Sequence, residues 1–137
     1  MNICETCDFD VWNYVGKMNS SYACLYDDAR FPGRMIIALH EHYENLETVP
    51  SEMLSRFMAD IQKAIIAIKE VTGVDRVNFA ILGNTVPHVH AHLIPRYPDM
   101  EELPGKSPWN DKRPVTFLEE SVKQALMKKL QERLDLE

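Results

Sequence analysis

The sequence has no apolar run long enough to cross a membrane. A membrane-spanning helix needs about 18 or more consecutive apolar residues, and no segment of the chain approaches that length. Residues 1–10 have neither the basic region nor the apolar core of a secretion signal. We therefore expect a cytoplasmic protein with no membrane partner.

The chain is also poor in positive charge. Its 15 Lys and Arg residues are outnumbered by 21 Asp and Glu residues, which gives a formal net charge of -6 at pH 7. Nucleic-acid affinity depends largely on clustered Lys and Arg that neutralise phosphates, so this balance argues against a broad nucleic-acid-binding surface. A small phosphorylated ligand stays open, because a few local donors are enough to bind it.

Cysteine is scarce as well. Cys4, Cys7 and Cys24 are too few for a disulfide framework in a cytoplasmic chain. Cys4 and Cys7 have the CxxC spacing of a metal or redox site, whereas Cys24 lies in a predicted strand and is expected to be a small buried hydrophobe. A chain of 137 residues has enough material for one core, so we expect residues 1–137 to form a single domain.

Apolar residues recur at helical spacing over residues 50–72, which predicts one long helix ending at Gly73. Alternating or β-branched apolar runs predict four strands, two before this helix and two after it: residues 22–26, 35–39, 76–82 and 88–94. The last two are separated by a segment short enough for antiparallel pairing.

The C-terminal part is predicted to be helical within residues 114–137. Thr116 to Glu119 has the pattern of a capping box, and apolar residues follow on one helical face. Strands that are adjacent in sequence on each side of a long helix indicate an α+β fold with an antiparallel sheet.

Three histidines, His88, His90 and His92, alternate with apolar residues. On a strand, side chains at positions i, i+2 and i+4 leave the same face roughly 6.5–7 Å apart. The pattern therefore predicts three imidazoles on one side of a strand and the intervening apolar residues in the core. Three solvent-facing histidines on an exposed sheet face are the alternative.

Residues 88–94 resemble the signature of the histidine triad (HIT) family, in which three alternating histidines are followed by two apolar positions. The flanking segments 83–88 and 94–97, the CxxC start and the turn at 31–33 are similar to a bacterial branch of diadenosine polyphosphate hydrolase-like HIT proteins. The resemblance implies a HIT-like fold: an antiparallel sheet of about five strands, one long central helix and a C-terminal helix.

The resemblance also implies a hydrolase or transferase that cleaves at the α-phosphate of a dinucleoside polyphosphate or a nucleoside phosphoramidate. His90, the middle histidine, would attack and form a nucleotidyl-histidine that water resolves. A neutral imidazole is a competent nucleophile near pH 7. His92 would bind the phosphate or the leaving group, and the two flanking histidines, His88 and His92, would help to fix the tautomer of His90.

Substrate contacts carry over from the family to Asn78, Asn84, Thr85 and Asp27. The first three would contact phosphate or other polar groups of the nucleotide, although turn chemistry also explains Asn84 and Thr85. Asp27 would bind the ribose hydroxyls, with Asp28 as a competing assignment and a plain turn as the alternative for both.

Arg34 departs from the family, because many relatives have a histidine directly after the Pro-Gly turn. An arginine there can bind a phosphate oxygen bidentately. We do not expect Arg34 to take the acid-base role that this histidine has in the relatives.

Zinc-bearing relatives imply a metal site made of Cys4, Cys7, His42 and His88. Two cysteines and two histidines form a closed tetrahedral set, typical of a structural zinc ion. His40 is a rival to His42, and free reduced thiols are the alternative to a metal. No organic cofactor is expected.

Two other functions stay open: a nucleotide-binding module with little catalysis, and a metalloenzyme that uses all three histidines as ligands.

The resemblance further implies a homodimer whose sheets join, with the C-terminal segment near the partner's active site. Trp109, a large aromatic in a polar loop, is expected to anchor an interface, cover the cavity or clamp its own domain.

Overall fold

The computed structural model describes residues 1–136. In chain order it contains β1 (Tyr14–Lys17), β2 (Ser21–Leu25), β3 (Met35–Leu39), α1 (Ser51–Thr72), β4 (Val77–Ala80), β5 (His90–Pro95) and α2 (Glu120–Leu134), with short 3₁₀ turns at Leu46–Thr48 and Pro108–Asn110. The strands form one antiparallel sheet in the order β1-β2-β3-β5-β4. The predicted α+β fold, with a five-stranded sheet, a long helix and a C-terminal helix, is confirmed. Within these residues, no helix combines the length and the apolar character needed to span a membrane.

The core lies between α1 and one face of the sheet. Helix α1 buries Phe57, Ile61, Ala64 and Ile68, and the apolar residues that alternate with the histidines join the same cluster: Val89, Ala91 and Leu93. Gly73 ends the helix in a left-handed conformation with φ of 77°, as predicted, and its N–H donates to the Lys69 carbonyl. Helix α2 packs against α1 and β1 through Leu130 and Leu134.

The predicted histidine strand begins too early. Strand β5 starts at His90, and His88 lies in the segment before it, where its N–H donates to the Val86 carbonyl. The next N–H, that of Val89, donates to the Tyr43 carbonyl rather than to a strand of the sheet. The alternation therefore places His90 and His92, but not His88, on one face of a regular strand.

The predicted capping box is wrong. Helix α2 begins at Glu120, and its N-cap residue Glu119 makes no side-chain capping bond. The segment before it is bound to the loop after β2: the Thr116 carbonyl accepts from the Ala29 N–H, and the Leu118 N–H donates to Asp27. Strand β1, the edge strand beside β2, was absent from the four strands predicted from apolar patterning.

A buried carboxylate fastens α1 to the start of β2. Asp60 lies on the helix and is 3% exposed. Its Oδ2 accepts from the Ser20 N–H at 2.9 Å, the Ser20 hydroxyl at 3.0 Å and the Ser21 hydroxyl at 2.7 Å. Because three hydrogen bonds stabilise the carboxylate, Asp60 can be buried without a positively charged partner.

We expect Asp60→Ala to lower the free energy of unfolding by about 2–3 kcal/mol, because it leaves buried donors without an acceptor. Urea denaturation of both proteins measures the difference. Lys63→Ala, at an exposed position of the same helix, is the control and should change stability by less than about 0.5 kcal/mol. Equal losses for the two variants would contradict this role of Asp60.

Candidate functional site

A cavity of about 940 Å³ lies on the sheet face opposite α1. His90 and His92 form its floor, since they point away from the apolar residues that pack on the helix. The walls come from the end of β2, from residues 9–13, from the loop at residues 82–86 and from the segment that precedes α2. The ring of His88 does not line this cavity, which corrects its expected place beside the other two.

His90 is held in one tautomer by the backbone just before its strand. Its Nδ1 lies 2.6 Å from the carbonyl oxygen of His88. A carbonyl can only accept, so Nδ1 carries the proton and Nε2 of the neutral ring carries the lone pair. The ring is 6% exposed and meets the edge of Phe9 at 5.2 Å between centroids. The arrangement leaves a nucleophilic nitrogen on a ring that cannot turn freely.

His92 is held in a defined tautomer by an arginine. Its Nδ1 lies 3.1 Å from Nη2 of Arg34. A guanidinium only donates, so Nδ1 accepts and the proton of the neutral ring is on Nε2. Burial, reinforced by the positive charge of Arg34, lowers the pKa of His92 to about 4. At neutral pH this ring is therefore uncharged.

Arg34 is engaged by the protein itself. It is 5% exposed, its Nη1 donates to Asp28 at 3.1 Å, and its guanidinium lies 3.9 Å from the ring centroid of Tyr26. With Nη1 on Asp28 and Nη2 on His92, each terminal nitrogen of Arg34 already has one partner within the protein. Arg34 also lines the cavity, and its contact to a phosphate stays a prediction.

The two adjacent aspartates have different roles. Asp28 is fully buried and binds both Arg30 and Arg34. Burial alone would raise the pKa of its carboxyl, but the hydrogen bonds and charge of Arg30, with the charge of Arg34, leave that pKa below its ordinary value. Asp27 lines the cavity, where its Oδ1 accepts from the Leu118 N–H at 2.7 Å. Of the two, only Asp27 lines the cavity.

The remaining substrate-contact candidates are divided between two places. Asn84 and Thr85 lie in the cavity wall and are exposed. Asn78 does not line the cavity: its Oδ1 accepts from Nη1 of Arg96 at 2.7 Å, and Arg96 is also paired with the buried Glu101. Six of the eight predicted catalytic and substrate residues therefore line the cavity: Asp27, Arg34, Asn84, Thr85, His90 and His92.

One wall of the cavity comes from the 3₁₀ turn at Pro108–Asn110 and the segment between this turn and α2. Trp109, Val115 and Phe117 line it, and all three are at least half exposed. The Trp109 ring meets His92 edge-on at 5.5 Å between centroids, so it lines the cavity of its own chain. Sequence reasoning singled out Trp109 but missed Val115 and Phe117, because their proximity to the histidines depends on long-range contacts of the chain.

A second cluster lies beside the cavity. The ligand atoms of Cys4, Cys7, His42 and His88 all lie within 4.8 Å of one another. Nε2 of His88 donates to the Leu39 carbonyl at 2.8 Å, so its unprotonated Nδ1 is the atom that lies 3.6 Å from the Cys7 sulfur. The cluster can hold a metal ion.

The neighbouring candidates are excluded from that cluster. Nε2 of His40 is bound to the Ser21 carbonyl at 2.8 Å, and His40 is not part of the set. Cys24 is a free, buried cysteine, and burial raises the pKa of its thiol to about 12. It remains a protonated, small apolar side chain, as predicted.

The HIT domain family matches residues 12–99, which include both cavity histidines and two of the four cluster residues. The chain belongs to the HIT family. HIT proteins in general bind nucleotides, and many act as hydrolases.

Two HIT structures and one HIT-like sequence illustrate the similarity. A histidine triad protein from Bradyrhizobium japonicum superposes with a TM-score of 0.79 and 22% identity over 89% of this chain and 91% of that one. A Zn-bound histidine triad family protein from Mycobacterium smegmatis gives 0.65 and 20% identity over 93% and 88%. An uncharacterized HIT-like protein of Methanocaldococcus jannaschii is 32% identical over 80 residues, which cover 55% of this chain and 61% of that protein.

Proposed function

We propose that this HIT protein is a nucleotide hydrolase or transferase in which His90 attacks the α-phosphate of a nucleotide conjugate. The observation that carries the proposal is the hydrogen bond from His90 Nδ1 to the His88 carbonyl, in the floor of a cavity of about 940 Å³. That volume falls in the range of small-molecule sites. The same hydrogen bond stabilises the positive charge that the His90 ring gains on attack.

The reaction proceeds in two displacements. Nε2 of His90 forms a bond to the α-phosphorus, and the bond from phosphorus to the leaving group breaks with its electron pair. Water then attacks the nucleotidyl-histidine and releases a proton to solvent, the electron pair of the P–N bond returns to Nε2, and the neutral imidazole is restored. Asn84, Thr85 and the Nε2–H of His92 donate to phosphate oxygens, and Asp27 accepts from the ribose.

We expect His90→Asn to lower turnover of dinucleoside polyphosphates and phosphoramidates by roughly 10³-fold or more, because the covalent step is lost. Wild-type protein should also trap a radiolabelled nucleotidyl adduct that the variant does not form. His40→Asn, outside the cavity, is the matched control and should keep most of the activity. Retained turnover in His90→Asn would remove the proposal. Tight nucleotide binding without turnover by wild type would indicate a binding module instead.

We also propose that Cys4, Cys7, His42 and His88 hold a structural zinc ion. Two thiolates and two imidazoles form the closed tetrahedral set of structural zinc. The bond from His88 Nε2 to the Leu39 carbonyl is the type of contact that orients a metal-binding histidine. The relative from Mycobacterium smegmatis, which is Zn-bound, supports the assignment. A zinc ion here ties residues 1–10 to the segment before β5.

Protein purified without chelator should contain about one zinc per chain. Cys7→Ser is expected to lose that zinc and to melt at a lower temperature, because the site then lacks one thiolate. Cys24→Ser, which removes a cysteine outside the cluster, should keep its zinc. Elemental analysis and thermal melts measure both, and zinc-free wild-type protein that also fails to bind Co²⁺ through thiolates would contradict the site.

We further propose a homodimer in which two sheets join along β4. This strand is an edge of the sheet and exposes half of Phe79, whereas the other edge strand, β1, packs against α2. An unpaired edge with an exposed aromatic is suited to pairing with a second chain.

Light scattering at micromolar concentration should therefore give the mass of two chains. Phe79→Lys should shift the protein toward the monomer, because a charge replaces the exposed aromatic. Val122→Lys, at an exposed apolar position of α2, is the control for the added charge. A monomeric wild type would contradict the dimer.

A further inference from the structure

Arg34 connects a buried acid to the third histidine. Asp28 is fully buried and accepts from Nη1 of Arg34 at 3.1 Å. Nη2 of the same guanidinium lies 3.1 Å from Nδ1 of His92, and the Tyr26 ring covers its face at 3.9 Å. Its third nitrogen, Nε, is buried without a hydrogen-bond partner among the described residues. The contacts on both ends of the fork leave the guanidinium in one orientation, with a donor always directed at His92.

This orientation determines the proton on His92. A protonated imidazole would place a second N–H against the guanidinium donor and a second positive charge beside it. The other groups that face His92 offer no compensating negative charge: they are His90, Tyr26 and Trp109. Asp28 is on the far side of Arg34 and is shared with Arg30. The ring is left neutral, with its proton on Nε2.

We propose that Arg34 is a positioning residue that keeps His92 an uncharged Nε2–H donor, so that the site favours a phosphate leaving group over an amine. The inference rests on the proposed function and names the substrate class within it: phosphoanhydrides such as dinucleoside polyphosphates, rather than nucleoside phosphoramidates.

The preference follows from where the electron pair goes. When the bond between the α-phosphorus and a bridging oxygen breaks, the pair stays on that oxygen, and a nucleoside polyphosphate departs as a stable anion. A hydrogen bond from His92 Nε2 is enough to assist it. When a P–N bond breaks, the pair stays on an amine nitrogen, which must gain a proton to leave. A neutral imidazole retains its Nε2 proton, so it supplies no general acid for that step.

The first test reads the His92 proton in wild-type protein and does not depend on activity. Nitrogen NMR of the ring distinguishes protonated from unprotonated nitrogens. We expect Nδ1 unprotonated and Nε2 protonated, with no change from about pH 7 to about pH 5, since the pKa of His92 is lowered to about 4. A proton on Nδ1, or a cationic ring at neutral pH, would overturn the role of Arg34.

The second test compares leaving groups on the same nucleotide. We expect wild-type kcat/KM for a dinucleoside polyphosphate to exceed that for an alkylamine phosphoramidate by roughly 10²-fold. Arg34→Met removes the charge and the donor beside His92, so His92 can take up a proton. The ratio should then fall by about tenfold or more, and phosphoramidate cleavage should gain an acid-side optimum.

Arg30→Met is the matched control. Arg30 also pairs with Asp28, but His92 accepts from Arg34, so this variant should keep both the tautomer and the substrate ratio. A wild-type preference for the phosphoramidate, or a ratio that Arg34→Met leaves unchanged, would overturn the leaving-group inference. Failure to turn over either substrate, with no trapped adduct, would instead remove the proposed function, while the NMR result still decides the role of Arg34.

Discussion

The site depends on the two-residue period of one strand. In β5 and the residue before it, Val89, Ala91 and Leu93 pack into the core under α1, and this burial forces His90 and His92 to the opposite face. A shift of one residue in the pairing of β5 with β3 would expose the apolar residues and bury the imidazoles. The free energy that stabilises the core therefore also keeps the histidines in the cavity.

The three histidines have different hydrogen-bond partners, and these partners give them different chemistry. The Leu39 carbonyl binds His88, the His88 carbonyl binds His90, and Arg34 binds His92. The two carbonyls accept from His88 and His90, and the Arg34 guanidinium donates to His92. The lone pair is therefore on Nδ1 of His88, on Nε2 of His90 and on Nδ1 of His92. The same side chain thus becomes a metal ligand candidate, a nucleophile candidate and a hydrogen-bond donor within five residues of sequence.

The loop after β2 organises the other half of the site. Its Asp28 orients Arg34, while Asp27 and Ala29 hold the segment before α2 through Leu118 and Thr116. That segment brings Trp109 and Phe117 to the cavity wall. One short loop consequently positions both the partner of His92 and the apolar side chains of the cavity wall.

Local periodicity, composition and short motifs were enough to predict part of this structure. They predicted the long helix with its glycine stop, four of the five strands, the division of β5 into two faces, and the four residues of the Cys-His cluster, the last through resemblance to the HIT family. The folded chain was needed to show which aspartate faces the cavity, that Asn78 is held by Arg96, that His88 lies before the strand, and that Arg34 binds His92. Each of these depends on a hydrogen bond between residues distant in sequence, or on a choice between adjacent identical residues. A pattern of residue types contains no information about either until the chain has folded.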